Sequence, residues 1–187
     1  MIDFLVFLFT IINCIFININ NPKLIYSDGG IIEVNKGYLS NHINYNKMIN
    51  DVSLNNTINK VDFVNGSFIL MKSEVLKEIG IFKELFFLYY EEAEWCLRAN
   101  LKGFNCYTNS EAIAYHSSST KGKKYYYYMI RNRLLLAKLF KTQYSNTRRR
   151  IFRTLVKESF HYFTKSEEKL KIQMKWKGFW AGVFYKI

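Results

Sequence analysis

The rhythm of apolar positions changes near residue 120. Before it, short apolar runs alternate with turn residues; after it, apolar side chains recur every three or four positions with Lys and Arg between them. The later segments (YYYYMIRNRLLLAKLF, Arg148 to Lys165, and Glu167 to Tyr185) therefore predict three basic amphipathic helices. In the earlier part, Pro22 to Gly37 (PKLIYSDGGIIEVNKG) predicts two short strands around an Asp28-Gly29-Gly30 turn, because Asp-Gly supplies the backbone freedom of a tight hairpin. The polar, Asn-rich stretch from Tyr38 to Asn59 predicts an ordered loop. Val61 to Met71 reads as a strand broken at Asn65-Gly66. A short helix capped by Ser73 and ended by Gly80 follows. A second runs from near Glu91 to Gly103, and two short apolar runs come next, Asn105 to Tyr107 and Ala112 to Tyr115. The fold class expected is α/β to about residue 120, then basic α-helices.

The opening stretch from Met1 to Ile19, MIDFLVFLFTIINCIFINI, is almost wholly apolar. Asp3 stands where a signal peptide carries Lys or Arg, and no small-residue cleavage site follows. A membrane span takes roughly 20 predominantly apolar residues. With Asp3, Thr10, Asn13 and Asn18 interrupting it, the stretch is either a marginal anchor or a buried helix or strand of a larger fold. The expected organisation is an apolar leader over 1–21, an α/β part over 22–120 and a basic aromatic helical tail over 121–187.

At 187 residues, 49% hydrophobic and 18% aromatic, the chain can form a packed core and is no disordered tail. Its formal charge of +12 is unevenly spread. Met1 to Thr120 carries nine Lys/Arg against twelve Asp/Glu, a net of −3, whereas Lys121 to Ile187 carries eighteen against three, a net of +15. Such asymmetry points to an anionic partner: a membrane surface, a nucleic acid or a phosphorylated substrate. Cys14, Cys96 and Cys106 are odd in number and far apart, which argues against a disulfide framework or a zinc site and suits the cytoplasm. Cys96 reads as a small core residue.

Against this basic background, FFLYYEEAEWCLR (Phe86 to Arg98) concentrates Glu91, Glu92 and Glu94 behind a block of aromatics. Ordinary effects explain part of it. Acids in a first helical turn suit the macrodipole, and Glu94 with Arg98 forms an i,i+4 surface pair worth roughly 0.2–0.5 kcal/mol. Neither accounts well for Glu92 or for the aromatic block. A carboxylate at an aromatic-rich loop-to-helix junction is partly desolvated, which raises its pKa as a general base requires.

Four segments together resemble the C-terminal half of the catalytic domain of family 2 glycosyltransferases, especially the rhamnosyltransferase- and galactofuranosyltransferase-like branch. VDFVNGSFILMKSEVLKEIGIF resembles the family's segment of Gly, apolar run, basic residue, helix and Gly-aromatic. FFLYYEEAEWCLR is similar to its aromatic-led acidic motif. GFNCYTNSEAIAYH resembles the two strands and His that follow, and YYYYMIRNRLLL the Tyr-Tyr to Arg-Asn helix. The likeness covers the middle 40% of the chain or so.

The resemblance implies a GT-A fold and an inverting sugar transfer from a nucleotide-sugar donor to a cell-surface glycan or lipid-linked acceptor. Glu92 matches the catalytic base, where the family more often has Asp; the extra methylene moves the oxygens by about a bond length, and misplacement of that order can cost about 100-fold. Glu91, Glu94, Asp62 and Gly66 match acceptor-side positions. Arg131 and Asn132 match the Arg-Asn pair that would contact diphosphate, with Lys121, Lys123 and Lys124 nearby. His116 matches a histidine that completes a Mg²⁺ or Mn²⁺ site; on its own terms it is an ordinary strand-end histidine.

The family's nucleotide-binding strands and Asp-x-Asp have no counterpart in this sequence. The chain then reads as a truncated product, as one partner of a separate N-terminal half chain, or as a non-catalytic remnant that binds a membrane surface or partner. Whether it is an enzyme in isolation stays open, since donor binding energy resides in the missing part. The basic aromatic third suits the inner face of the cell membrane as a peripheral site. Nucleic acid is the weaker partner, because no RRM, zinc-finger or helix-turn-helix pattern occurs.

Overall fold

The computed structural model of the protein describes residues 10–52, 58–117, 121–161 and 166–187. Its contacts divide into two units. One takes the described residues of Met1–Ile32, Ser40–Lys83 and Glu92–Ser119; the other takes those of Glu33–Leu39, Glu84–Glu91 and Thr120–Ile187.

The first unit is mixed α/β and is organised by β1 (Thr10–Asn18), so the described part of the apolar leader is a strand. Periodicity alone cannot separate a buried strand from a buried helix in so short an apolar run. Its β-branched isoleucines favour the pleated state, and Ile11, Ile15 and Ile17 are all buried. Along one edge β1 pairs in parallel with β7 (Asn105–His116), from Thr10↔Asn105 to Asn18↔His116. Its other edge is shared by β2 (Ile25–Ser27) and β6 (Leu70–Met71), both antiparallel. β5 (Ile58–Val61) pairs antiparallel with β7. No helix among the described residues is long and apolar enough to cross a membrane.

Several local expectations are corrected. Asp28-Gly29-Gly30 does not turn a hairpin: β2 belongs to the large sheet, whereas β3 (Gly30–Glu33) pairs with β4 (Leu39–His42) in a separate two-stranded sheet. The glycines answer to crowding instead. A Cβ on Gly29, at φ +74°, would stand 2.6 Å from Val61 Cγ1, and one on Gly30 would stand 2.1 Å from the Phe63 ring. The expected loop from Tyr38 to Asn59 contains β4, a 3-10 turn at Ile49–Asp51 and the start of β5. Its residues 53–57 lie outside the described ones. Ser73 does not cap: it lies inside α1 (Ser73–Ile79), and the N-cap is Lys72, without a side-chain hydrogen bond. Gly80 does end that helix, at φ +83°, its N–H donating to Leu76 O at 2.8 Å. The two apolar runs after Gly103 are one continuous strand, β7, with an irregular register between its halves.

The second unit is built on α3 (Lys123–Leu139), α4 (Tyr144–His161) and α5 (Ser166–Phe184). Leu134, Ile151, Leu155 and Phe179 form its buried centre. The expected amphipathic periodicity is therefore realised as a packed apolar face. α5 meets α3 through a seam of two glycines, Gly178 and Gly182, four residues apart. A Cβ on Gly178 would lie 2.3 Å from the Tyr127 carbonyl oxygen, and one on Gly182 would lie 2.9 Å from Leu134 side-chain atoms.

That contact gives a clean prediction. Gly178→Ala should help the isolated helix by about 1 kcal/mol, yet the methyl can be housed only by moving a backbone, which costs up to about 3 kcal/mol. The net expectation is a loss of about 2 kcal/mol, read in thermal unfolding as a fall of roughly 4–8 °C. A Tm at or above that of the unsubstituted chain would show that the helices are not in backbone contact.

Candidate active site

The acidic run lies at the start of α2 (Glu91–Leu101), which buries Ala93, Trp95, Cys96 and Ala99. Trp95 is fully enclosed and donates its indole N–H to Gly80 O at 2.7 Å. Ala93 to Cys96 are buried in succession, so this turn is enclosed on nearly all sides and Glu94 is buried with it, 1% exposed. Arg98 donates to it through Nε and Nη2, each at 3.0 Å, and Lys83 Nζ lies 3.1 Å away. Arg98 also donates to Ile81 O at 3.0 Å and to Ile79 O. The expected i,i+4 pair thus exists, but as a buried charge cluster fastening residues 79–83 to α2, and both Glu94 oxygens are engaged in it. Cys96 lies against Cys106, and burial pushes its thiol well up, which keeps it inert.

Glu92 faces elsewhere. A Cβ built on Gly66 would stand 3.9 Å from Glu92 Cβ and 4.0 Å from its carboxyl carbon. Gly66 is exposed and Glu92 half-buried, so the missing side chain leaves room beside the carboxylate. The Asn65-Gly66 turn is held by Asn13 of β1. Asn13 is 1% exposed, and its Nδ2 donates to Asn65 O at 2.9 Å. Asn13 had read only as an interruption of an apolar run; a buried amide in a strand is the signal that was available. Asp62 accepts a hydrogen bond from the Ile32 N–H at 2.8 Å, and its carbonyl oxygen accepts one from Asn100 at 3.2 Å.

In the second unit, the aromatic block before the acids has a specific cause. Phe87, Tyr89 and Tyr90 all take left-handed backbone conformations, with φ of 56°, 65° and 70°. Asn132, fully buried in α3, holds them there. Its Nδ2 donates to Phe86 O at 2.7 Å, Leu88 O at 2.8 Å and Tyr89 O at 2.7 Å, and its Oδ1 accepts from Arg131 Nη1 at 2.9 Å. Its amide is therefore spent on the loop, with no donor left for a diphosphate. Arg131 lies over the Tyr128 and Tyr185 rings, 5.6 and 5.1 Å from their centroids. Lys121, Lys123 and Lys124 are exposed. Arg133, not singled out by the sequence, donates to Gly37 O and Lys36 O. Glu91, at the end of this loop, is half-buried, and desolvation pushes its carboxyl up, partly offset by its own backbone N–H.

His116 lies in different surroundings from Glu92. Its ring stacks on Tyr26 at 4.5 Å and meets Phe16 edge-on at 5.8 Å. On β1, Asn13 marks the level of Gly66 and Glu92, while His116 pairs with Asn18, five residues or roughly 16 Å further along the strand. Hard divalent cations take mostly oxygen ligands, and His116 is packed among rings instead. Among the described residues no three of His, Cys, Asp or Glu are grouped to hold an ion. These residues do not fit the Mg²⁺ or Mn²⁺ site that the resemblance implied.

The same ring cluster contains His42, 5.8 Å from Tyr26 and from Phe63. Ser27 Oγ, 3.2 Å from Gly29 O, lies 2.8 Å from His42 Nδ1. Burial lowers the His42 pKa, a backbone bond to Gly29 opposes this, and the charge of His116 lowers it further. The unfolded chain therefore takes up a proton near the ordinary value of 6.5 while the folded one resists it until lower pH. Stability from this group is complete above that value and is lost as pH falls through the folded pKa. Melting curves between about pH 7.5 and about pH 5 should show this decline, and His42→Gln should flatten it.

No family model matches the chain. Over 45 residues it is 42% identical to the "Low-salt glycan biosynthesis hexosyltransferase Agl10" of Haloferax volcanii. The stretch is 24% of this chain and spans only 15% of that relative's length. The likeness to a hexosyltransferase is thus weak and local.

Proposed function

We propose that the protein transfers a hexosyl group from a nucleotide-sugar to a hydroxyl of a glycan or lipid-linked acceptor, on a GT-A-type fold of the family 2 kind. The observation that carries the reading is the place of Glu92, in the first turn of α2 beside a glycine that leaves space next to its carboxylate. The local likeness to a hexosyltransferase supports the reaction class.

In this reading Glu92 accepts the proton of the acceptor hydroxyl as that oxygen attacks the anomeric carbon. The nucleoside diphosphate leaves from the opposite face with the bonding pair, so the configuration inverts. Gly66 and Asp62 border the acceptor side.

The test is incubation of the full chain with a panel of radiolabelled nucleotide-hexoses and glycan or lipid-linked acceptors, with the product's anomeric configuration read by NMR. Transfer with inversion is expected. Absence of both transfer and saturable donor binding across the panel removes the reading.

A further inference from the structure

α5 turns its glycine seam to α3 and a row of aromatic rings to solvent. Trp176, Trp180 and Phe184 follow at four-residue spacing with nearly parallel planes: Trp176 to Trp180 at 6.2 Å and 22°, Trp180 to Phe184 at 5.8 Å and 17°. Phe152 of α4 joins the row edge-on against Trp176 at 5.5 Å. Trp180 is 46% exposed, Phe184 73% and Phe152 42%, while Trp176 is half-buried against the helical core, so the strip is anchored at Trp176 and opens outward from it. Such a strip carries a cost in water that only a partner relieves.

The surrounding charge says which partner. Arg149 stands three residues before Phe152 on α4 and Lys177 three before Trp180 on α5, so each shares the face of its ring, and both are exposed, as are Arg153 and Lys186. Of the carboxylates described on α4 and α5, Glu158 is tied to Lys175 at 2.7 Å and Glu168 is half-buried. Aromatic residues flanked by exposed cations suit the headgroup layer of an anionic bilayer, where rings enter the acyl boundary and cations stay among the phosphates. A single-stranded nucleic acid would need open ring faces for its bases. Here Trp176 and Phe184 stand nearly parallel to Trp180 on either side, at 6.2 and 5.8 Å between centroids, a spacing too narrow to admit a base between the rings.

We infer that the α4–α5 strip of Phe152, Trp176, Trp180 and Phe184, with Arg149, Arg153 and Lys177, is a docking surface for an anionic lipid bilayer. Docking is peripheral: the strip enters the headgroup layer and the helices remain packed on each other. This inference is independent of any sugar transfer.

The experiment is partition of the full chain onto vesicles of phosphatidylcholine alone and of phosphatidylcholine with about one-third phosphatidylglycerol. Tryptophan emission and quenching by brominated lipid report on depth. Binding to the anionic vesicles alone, weakened by salt, with a blue shift and shallow quenching, is expected. Trp180→Ala with Phe184→Ala should lower the partition coefficient by about ten-fold or more. A second variant, Arg149→Glu with Arg153→Glu and Lys177→Glu, should lower it by at least about a hundred-fold. Both variants change exposed side chains, and circular dichroism checks that each keeps its helices. Equal binding to neutral vesicles overturns the inference, as does unaltered binding by either folded variant. So does displacement from the vesicles by single-stranded DNA at equal salt.

Discussion

A Glu92→Gln chain should bind acceptor as the parent does and transfer sugar about 10²–10⁴ times more slowly, the usual contribution of a positioned general base. That range corresponds to about 3–5 kcal/mol of barrier. Glutamine keeps the length and shape of the side chain beside Gly66 but cannot take a proton. The loss should therefore appear in kcat, with KM for acceptor nearly unchanged. Glu91→Gln provides the contrast. Its carboxyl is half-buried and pushed up by desolvation, so the amide removes a group that folding prefers uncharged. The Glu91 variant should keep most of its rate and gain stability at neutral pH. Below the ordinary carboxyl range the gain should vanish, because Glu91 is protonated in both states there. Should Glu92→Gln retain its rate within about three-fold, position 92 is not the base.

Replacing Asn132 with leucine should be the most damaging single change in the helical unit. Three carbonyls of the Phe86–Tyr89 loop converge on one amide, and three nearby residues hold left-handed backbones. Each such backbone costs on the order of 1 kcal/mol that the surroundings must offset. A buried carbonyl that loses its donor costs roughly 1–3 kcal/mol. Two amide hydrogens shared by three acceptors put the expected loss near 3–5 kcal/mol, or a fall of roughly 10–15 °C in Tm. Asn132→Asp has the same shape but presents oxygen to oxygen, so it should be no milder. A pair of variants that melt with the parent would mean that the loop holds its own conformation.

The basic helices were legible because their burial is one-sided, and one-sided burial writes itself into spacing. Helix ends at Gly80 and Gly103 were legible for a similar local reason: both residues have positive φ. Asp28-Gly29-Gly30 misled because glycine looks the same whether it frees a turn or admits a neighbour, and here Val61 and Phe63, more than thirty positions away, decide. Spacing paired Glu94 with Arg98 correctly. It could not reveal that the pair is buried, which depends on Lys83 and on the carbonyls of Ile79 and Ile81. Arg131 and Asn132 stood out as a dipeptide, yet the asparagine's partners lie 43 to 46 positions upstream. Glu92 beside Gly66 is likewise a contact between residues far apart in sequence, at a turn held by Asn13, which had read only as an interruption of an apolar run.

The parallel pairing of β1 with β7 also sets a timetable. Thr10 waits for Asn105 and Asn18 for His116, and a ribosome adds about 5–20 residues per second. The isoleucine-rich ribbon is thus born on the order of 5–20 s before the neighbour that closes its longer edge. During that interval an uncharged, β-prone heptapeptide such as IINCIFI is free to meet its like on another nascent chain. The strand that organises the finished sheet is the one that most needs a chaperone while the chain is being made.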